Sequence, residues 1–310
     1  MILSVSRRTD IPAFYSDWFY HRIKEGFVDV RNPMNIHQVS RIAITPDVVD
    51  CIIFWTKNPQ NMLNRLNELK DYNYYFQFTI NPYDKTIEDK VPFKTEIIET
   101  FKELSKIVGK HRIIWRYDPI LFTNKIDMSY HIKYFEELSK RLSDYTNRCV
   151  ISFVDLYKKT VTNTKTLGMR GLSEKEMIDI AQHINFISQK YGISVLSCAE
   201  NVDLKNCGIE HGSCIDKALI EEICGYQIKV KKDKNQRSEC NCVESIDIGA
   251  YNTCTHGCMY CYANFNKERV NNLSSNHIPT SSLITGELSH EDIIKERKVS
   301  LLKSQDGLFS

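Results

Sequence analysis

Short β-branched and aromatic runs alternate with longer stretches of helical periodicity along most of this chain. Residues 2–5, 50–55, 74–80, 112–117, 149–154, 193–198 and 245–250 have the composition of strands. Between them, residues 14–25, 59–70, 93–108, 127–143, 173–190 and 214–224 repeat apolar positions at helical spacing, and Gly26, Gly109, Gly192 and Gly225 stand near their stops. Ser173 and Glu176 have the spacing of a capping box. Alternation of this kind predicts a parallel sheet with right-handed crossovers, and a run such as CIIFW, apolar at every position, suits a strand buried on both faces. The expected fold class is α/β, a partial or full (β/α) barrel of the TIM type. Residues 27–44 interrupt the pattern with FVDVRN, a Pro33-Met34-Asn35 turn and IHQVSRIAI, which predict an inserted hairpin. Residues 271–282, rich in Asn and Ser, predict a loop, and Ser289 is placed to cap a final helix starting near His290.

At 310 residues the chain is long enough for one large domain or two ordinary ones. Hydrophobic residues make up 42%, yet no apolar run approaches the roughly 18 residues a membrane helix requires, so no membrane partner is expected. Arg7 and Arg8 superficially resemble a twin-arginine export signal, but Asp10, Asp17, His21 and Arg22 break the apolar region that should follow; a cytoplasmic protein is expected. The net charge of +2 gives no global field for coating nucleic acid. The run KVKKDKNQR at 229–237 reads as a solvated loop, with a phosphate-contacting patch as the alternative.

The cysteines change this picture. There are eleven, and nine of them fall between residues 198 and 261. A reducing cytosol does not use thiols as staples, so the clustering points to metal. Cys51, Cys149 and Cys224 sit in apolar patterns and read as core. Cys254, Cys258 and Cys261 follow a Cys-x3-Cys-x2-Cys spacing with Tyr260 just before the last thiol. Three thiolates can hold three irons of a [4Fe-4S] cluster and leave the fourth open to a ligand; zinc on the same thiols is the alternative. His256, inside the loop, reads as a loop residue rather than a ligand.

Residues 247–264, DIGAYNTCTHGCMYCYAN, resemble the first strand and cluster loop of the radical S-adenosylmethionine superfamily. In most members that loop lies near the N-terminus; here the upstream segments resemble the later strands, as in spore photoproduct lyase and its relatives, which implies a circular permutation. VSRRTDIPAF (5–14), FWTKNP (54–59), FQFTINPYDK (76–85), HRIIWRYDPIL (111–121) and CVISFVDLY (149–157) then correspond to strands two to six, with 245–250 as strand one. The chain also resembles an uncharacterised bacterial family with C-terminal cysteines. The implied organisation is barrel strands and helices over 1–198, a cysteine-rich segment over 199–244, and the permuted strand, cluster loop and C-terminal helix over 245–310.

Active sites of βα barrels lie at the C-terminal strand ends, where Thr9, Asp10, Thr56, Lys57, Thr79, Asn81, Arg116 and Asp118 fall. The resemblance implies S-adenosylmethionine bound near Tyr260, with Thr79 and Asn81 toward its ribose and Arg116, a guanidinium fork, toward its carboxylate. It implies reductive cleavage to a 5′-deoxyadenosyl radical acting on an unidentified substrate, with ferredoxin or flavodoxin as electron donor. Lesion repair in nucleic acid, and a non-catalytic zinc- or cluster-stabilised binding module, are the alternatives. Cys198, Cys214, Cys240 and Cys242, preferred over Cys207, are candidates for a second iron–sulfur cluster or a zinc site. Cys198 ends one predicted strand while Cys240 and Cys242 precede another, and a six-residue strand spans roughly 20 Å. Bringing them together requires a detour of 199–244 or a misassigned strand. Glu200 and His211 share that loop and read as substrate ligands or surface residues.

Overall fold

The computed structural model of the chain describes residues 1–155 and 158–304. The predicted strand 149–157 therefore runs two residues, and the C-terminal segment six residues, outside the described part. The strands are β1 (Ile2–Val5), β2 (Phe27–Asn32), β3 (Asn35–Ala43), β4 (Cys51–Thr56), β5 (Tyr74–Thr79), β6 (Ile113–Ile120), β7 (Arg148–Phe153), β8 (Ser194–Ser197), β9 (Glu210–His211), β10 (Ile246–Asp247) and β11 (Ile293–Arg297). Helices are α1 (Ile11–Phe14), α2 (Ser16–Glu25), α3 (Lys94–Val108), α4 (Met128–Leu142), α5 (Lys158–Thr164), α6 (Glu174–Lys190), α7 (Lys217–Cys224) and α8 (Lys267–Ser275), with a 3-10 helix at Gln60–Leu69.

Eight strands form one parallel sheet in the order β10, β1, β4, β5, β6, β7, β8, β9. The order follows the chain except that β10, from near the C-terminal end, pairs with β1 at the sheet's beginning. β10 and β9 stand at its two ends. The fold is thus α/β with a large parallel sheet flanked by helices. Among the described residues, no helix is long and apolar enough to cross a membrane.

Period-two alternation sorts each strand's side chains onto two faces. Leu3, Ile52, Phe54, Phe76, Ile113, Trp115 and Ile151 join Trp18, Phe19, Phe101, Phe135 and Ile184 of the helices in the main core. Ile2, Cys51, Ile53, Tyr75, Ile114 and Val150 face the other way, where residues 214–243 cover them through Ile215, Leu219, Ile220 and Val243. That is the detour. Beyond β9 the chain turns under the sheet, where the Cys214 carbonyl accepts hydrogen bonds from Tyr75 Oη (2.7 Å) and Gln77 Nε2 (2.9 Å). Residues 231–244 fold back beside it, with Val243 N donating to Ile215 O and Lys232 bridging Val243.

The Ser173–Glu176 capping box forms, and residues 27–43 form the expected hairpin. The expected helix from His290 is instead β11, fully exposed and parallel to β3. The open edge of that hairpin offers unpaired backbone groups that β11 satisfies, and this long-range pairing overrides the local capping signal. Residues 271–282 are helical as far as Ser275. The short α1 and α5 and the two-residue β9 are additional elements.

β10 contributes only two residues to the ladder, so side chains secure it. The Asp247 carboxylate accepts from Ser4 Oγ (3.0 Å), Ser6 Oγ (2.6 Å), the amides of Arg7 (2.9 Å) and Gly249 (3.0 Å), and Arg8 Nε (3.1 Å). Burial opposes its charge, but Arg8 and these donors outweigh burial and hold its pKa below the usual carboxylate range. Asp247→Ala should strand Arg8 and these donors and lower unfolding free energy by about 3 kcal/mol, read by urea denaturation. A change within 0.5 kcal/mol, the usual range for ordinary surface substitutions, would refute this joint.

His131, fully buried in α4, has Nδ1 2.8 Å from Tyr117 Oη and Nε2 2.9 Å from the Leu121 carbonyl. Burial lowers its pKa from 6.5 to about 4. The unfolded chain therefore takes up a proton between those values that the folded chain refuses, so stability is full above pH 6.5 and falls as pH drops to about 4. The loss should reach about 3 kcal/mol, and His131→Gln should flatten that slope in urea titrations at pH 7 and 4.5.

Candidate metal centre and its cavity

The loop after β10 owes its shape to residues from both ends of the sequence. Thr9 Oγ1 donates to Ala250 O (2.6 Å) and lies 2.5 Å from Thr253 Oγ1, while Tyr15 Oη donates to Thr253 O (2.6 Å). Asp10 caps α1 at Ala13 N, accepts from Lys57 N (2.7 Å) and lies 2.7 Å from His256 Nε2. His256 is thus a buried strut between the loop and the segment after β1, and its Nδ1 is buried without a hydrogen-bond partner. Gly249 permits this approach: a Cβ there would lie 2.0 Å from Ser6 Oγ. Gly257, at φ +71°, adopts the left-handed turn between the first two loop cysteines.

A second strut comes from the segment between β5 and α3. Lys90 N donates to His256 O and Met259 N to Ile87 O, and Glu88 bridges Cys258. Glu88 is fully buried and binds Lys57 Nζ (2.7 Å), Lys94 Nζ (2.5 Å) and Tyr260 Oη. Burial opposes its charge, but the two lysines prevail and bring its pKa down to about 2. Nothing in the sequence singled out Glu88; Lys94 is six residues away, but its other partners Lys57 and Tyr260 lie 31 and 172 residues away.

Cys254, Cys258 and Cys261 all line one cavity of about 450 Å³ at the C-terminal ends of the parallel strands. Burial pushes the Cys254 thiol up to about 12 and Cys258 well above its ordinary value, so in this setting a cation is needed to hold them as thiolates. Thr9, Asp10, Thr56, Lys57, Thr79, Arg116 and Asp118, expected at strand ends, line the same cavity, as does Tyr260. Asn81 does not. It is buried, its Nδ2 donating to Asp118 O (2.8 Å) and Tyr260 Oη (3.2 Å) and its Oδ1 accepting from Asp118 N. Arg116 is already engaged: Nε donates to Asp118 Oδ2 (2.9 Å) and Nη1 to Cys214 Sγ (2.6 Å).

Cys198, Cys214, Cys240 and Cys242 line the same cavity. Cys198 and Cys214 Sγ are 2.9 Å apart, and Cys242 Sγ accepts from Ile215 N (3.4 Å). Cys207 is elsewhere, bonded to Ile178 O. Among the described residues, no three His, Cys, Asp or Glu side chains stand in ready metal-holding geometry; what the site supplies is the soft-donor set, three thiols of the loop and four from elsewhere in the chain.

Glu200 also lines the cavity, accepting from Phe153 N (2.8 Å), and burial raises its pKa to about 7, where a carboxyl can give or take a proton. His211 is exposed on β9, with Nδ1 2.9 Å from Ser197 Oγ. In the basic run, Lys229, Lys231, Lys232 and Lys234 do not line the cavity, whereas Arg237 does, paired with Asp155 at 2.6 Å.

No curated protein matches the sequence at a significant level. Among solved structures, a candidate alpha-L-fucosidase from Bacteroides thetaiotaomicron VPI-5482 aligns at 19% identity over 50% of this chain and 66% of that one, just under two thirds of its length, with a TM-score of 0.28. So low a score carries no argument about fold or activity. The family model described as a domain of unknown function (DUF1848) matches residues 2–263, spanning β1 to just past the last cysteine, and the chain belongs to that family.

Proposed function

We propose that the protein is a radical S-adenosylmethionine enzyme with a circularly permuted barrel, its cluster bound by Cys254, Cys258 and Cys261. The observation that carries this reading is the placing of β10 beside β1 in parallel, so that the cysteine loop leaves the C-terminal end of a sheet strand and faces the cavity. The sheet order β10, β1, β4, β5, β6, β7 is the order of strands one to six under the permutation. Three thiols with a cavity beyond them suit a cluster whose fourth iron is open to a ligand.

When bound, such a cluster supplies the electron that cleaves S-adenosylmethionine to methionine and a 5′-deoxyadenosyl radical, which removes hydrogen from a substrate. The residues of the chain do the rest. Asp10 with His256, and Glu88 with Tyr260, hold the two sides of the loop rigid. Thr79 lines the cavity and is placed for the ribose, whereas Asn81 positions Tyr260 and Asp118. Trp55 and Phe153 wall the cavity against water, which protects reactive intermediates. Glu200 is poised to move a proton near neutral pH.

Anaerobically reconstituted protein, reduced with dithionite or a flavodoxin system in the presence of S-adenosylmethionine, should release 5′-deoxyadenosine measurable by chromatography. Cys258→Ala should lower that release by at least about a hundredfold, since the interaction removed is the cofactor's own anchor. Release at the wild-type rate from Cys258→Ala would sink this assignment, and zinc without deoxyadenosine would move the protein to a stapled binding module.

A further inference from the structure

Two groups of thiols line one cavity, and only one belongs to the cluster loop. The other begins at Cys198, where β8 ends, and is completed by Cys214, Cys240 and Cys242, which the detour under the sheet delivers to the same place. Cys198 and Cys214 Sγ lie 2.9 Å apart, and Cys242 Sγ accepts from the backbone amide of Ile215, the residue after Cys214. Cys214, Cys240 and Cys242 are buried and Cys198 is half-buried. Four thiols lining one cavity are the donor set of a four-thiolate metal site.

Charge gives an independent reason. With neutral thiols, the half-buried Arg7 guanidinium beside them has no carboxylate within hydrogen-bond distance. Arg116 donates to Cys214 Sγ at 2.6 Å and shares Asp118 with Ser152. Arg7 lies over the Trp55 ring, 5.6 Å from its centroid, and its side-chain Nε is buried with no hydrogen-bond partner. Arg7 Nη2 donates to Ser245 Oγ (3.2 Å), while Asp247 accepts from the Arg7 backbone amide and pairs its charge with Arg8. Four thiolates around a doubly charged metal centre carry about two negative charges; Arg7 would offset one, and Arg116, already shared with Asp118, donates directly to Cys214 Sγ.

We propose that Cys198, Cys214, Cys240 and Cys242 hold a second metal centre, a soft-metal four-thiolate site distinct from the loop, with Arg116 and Arg7 as its countercharges. Arg116 is thereby a positioning residue for this centre rather than a ligand of a cofactor carboxylate. The site needs only its own thiols, so it stands or falls separately from radical chemistry at the loop.

The test uses the full chain with Cys254, Cys258 and Cys261 all replaced by Ala, purified anaerobically and offered iron, sulfide and zinc. It should keep either about one zinc, or about four irons with matching sulfide and a broad visible absorption, per chain. Zinc identifies a single tetrahedral ion and iron with sulfide a cluster; both support the four-thiolate centre. Adding Cys214→Ser and Cys242→Ser should remove that metal. If the added changes prevent folding, Arg116→Gln in the triple variant decides, with an expected gain of about tenfold in the rate of metal loss to a chelator. A folded triple variant with no metal, or a Cys198–Cys214 disulfide in anaerobically purified protein, would overturn the site. Deoxyadenosine release by the unmodified protein is scored separately, so failure of one reading is visible without the other.

Discussion

The Asp247 carboxylate is the joint on which the rest of the molecule depends. It lies 243 residues from Ser4, yet it gathers Ser4, Ser6, Arg7, Arg8 and Gly249 around one half-buried charge. A two-residue strand has too short a ladder to fix its own register, and a half-buried charge tolerates few arrangements of its donors. That constraint sets where the cysteine loop begins and which way it faces. From there Asp10 and Glu88, two buried carboxylates, continue the same device along the loop.

The sheet turns this anchoring into a site by placing all its strand ends on one side. Polar side chains tolerated at those ends, from Ser6 through Thr79 and Arg116 to Ser152, converge because neighbouring parallel strands are in register. The segment 214–243 completes the enclosure from beneath. It shields Ile53, Tyr75 and Ile114 from water with its own apolar residues, and in the same course carries three of its thiols to the cavity. Core formation and donor placement are therefore one folding event on this face.

Much of the architecture was legible in the sequence because its signals were local. Seven strands and six helical stretches follow from periodicity, and the Ser173–Glu176 cap from a spacing of three residues. Local signals also misled: Ser289 marks a helix start, but a sheet edge more than 250 residues upstream claims those residues as β11. Glu88 carried no pattern at all, and the Arg7-Arg8 pair suggested only an export signal. Their meaning depends on which charges face them, and charge pairing between distant residues leaves no periodic trace.

By itself the sequence determined the alternation of strands and helices, the spacing of Cys254, Cys258 and Cys261, and the gathering of thiols in the last half of the chain. Those are properties of neighbours, fixed by backbone geometry and side-chain volume. Only the tertiary structure decided that Cys198 meets Cys214 at 2.9 Å, that Arg116 is committed to Asp118 and Cys214, and that both thiol groups face one cavity. The reason is physical: the path of residues 199–244 is set by the apolar face of the sheet it must cover, and that face exists only once the distant strands have assembled.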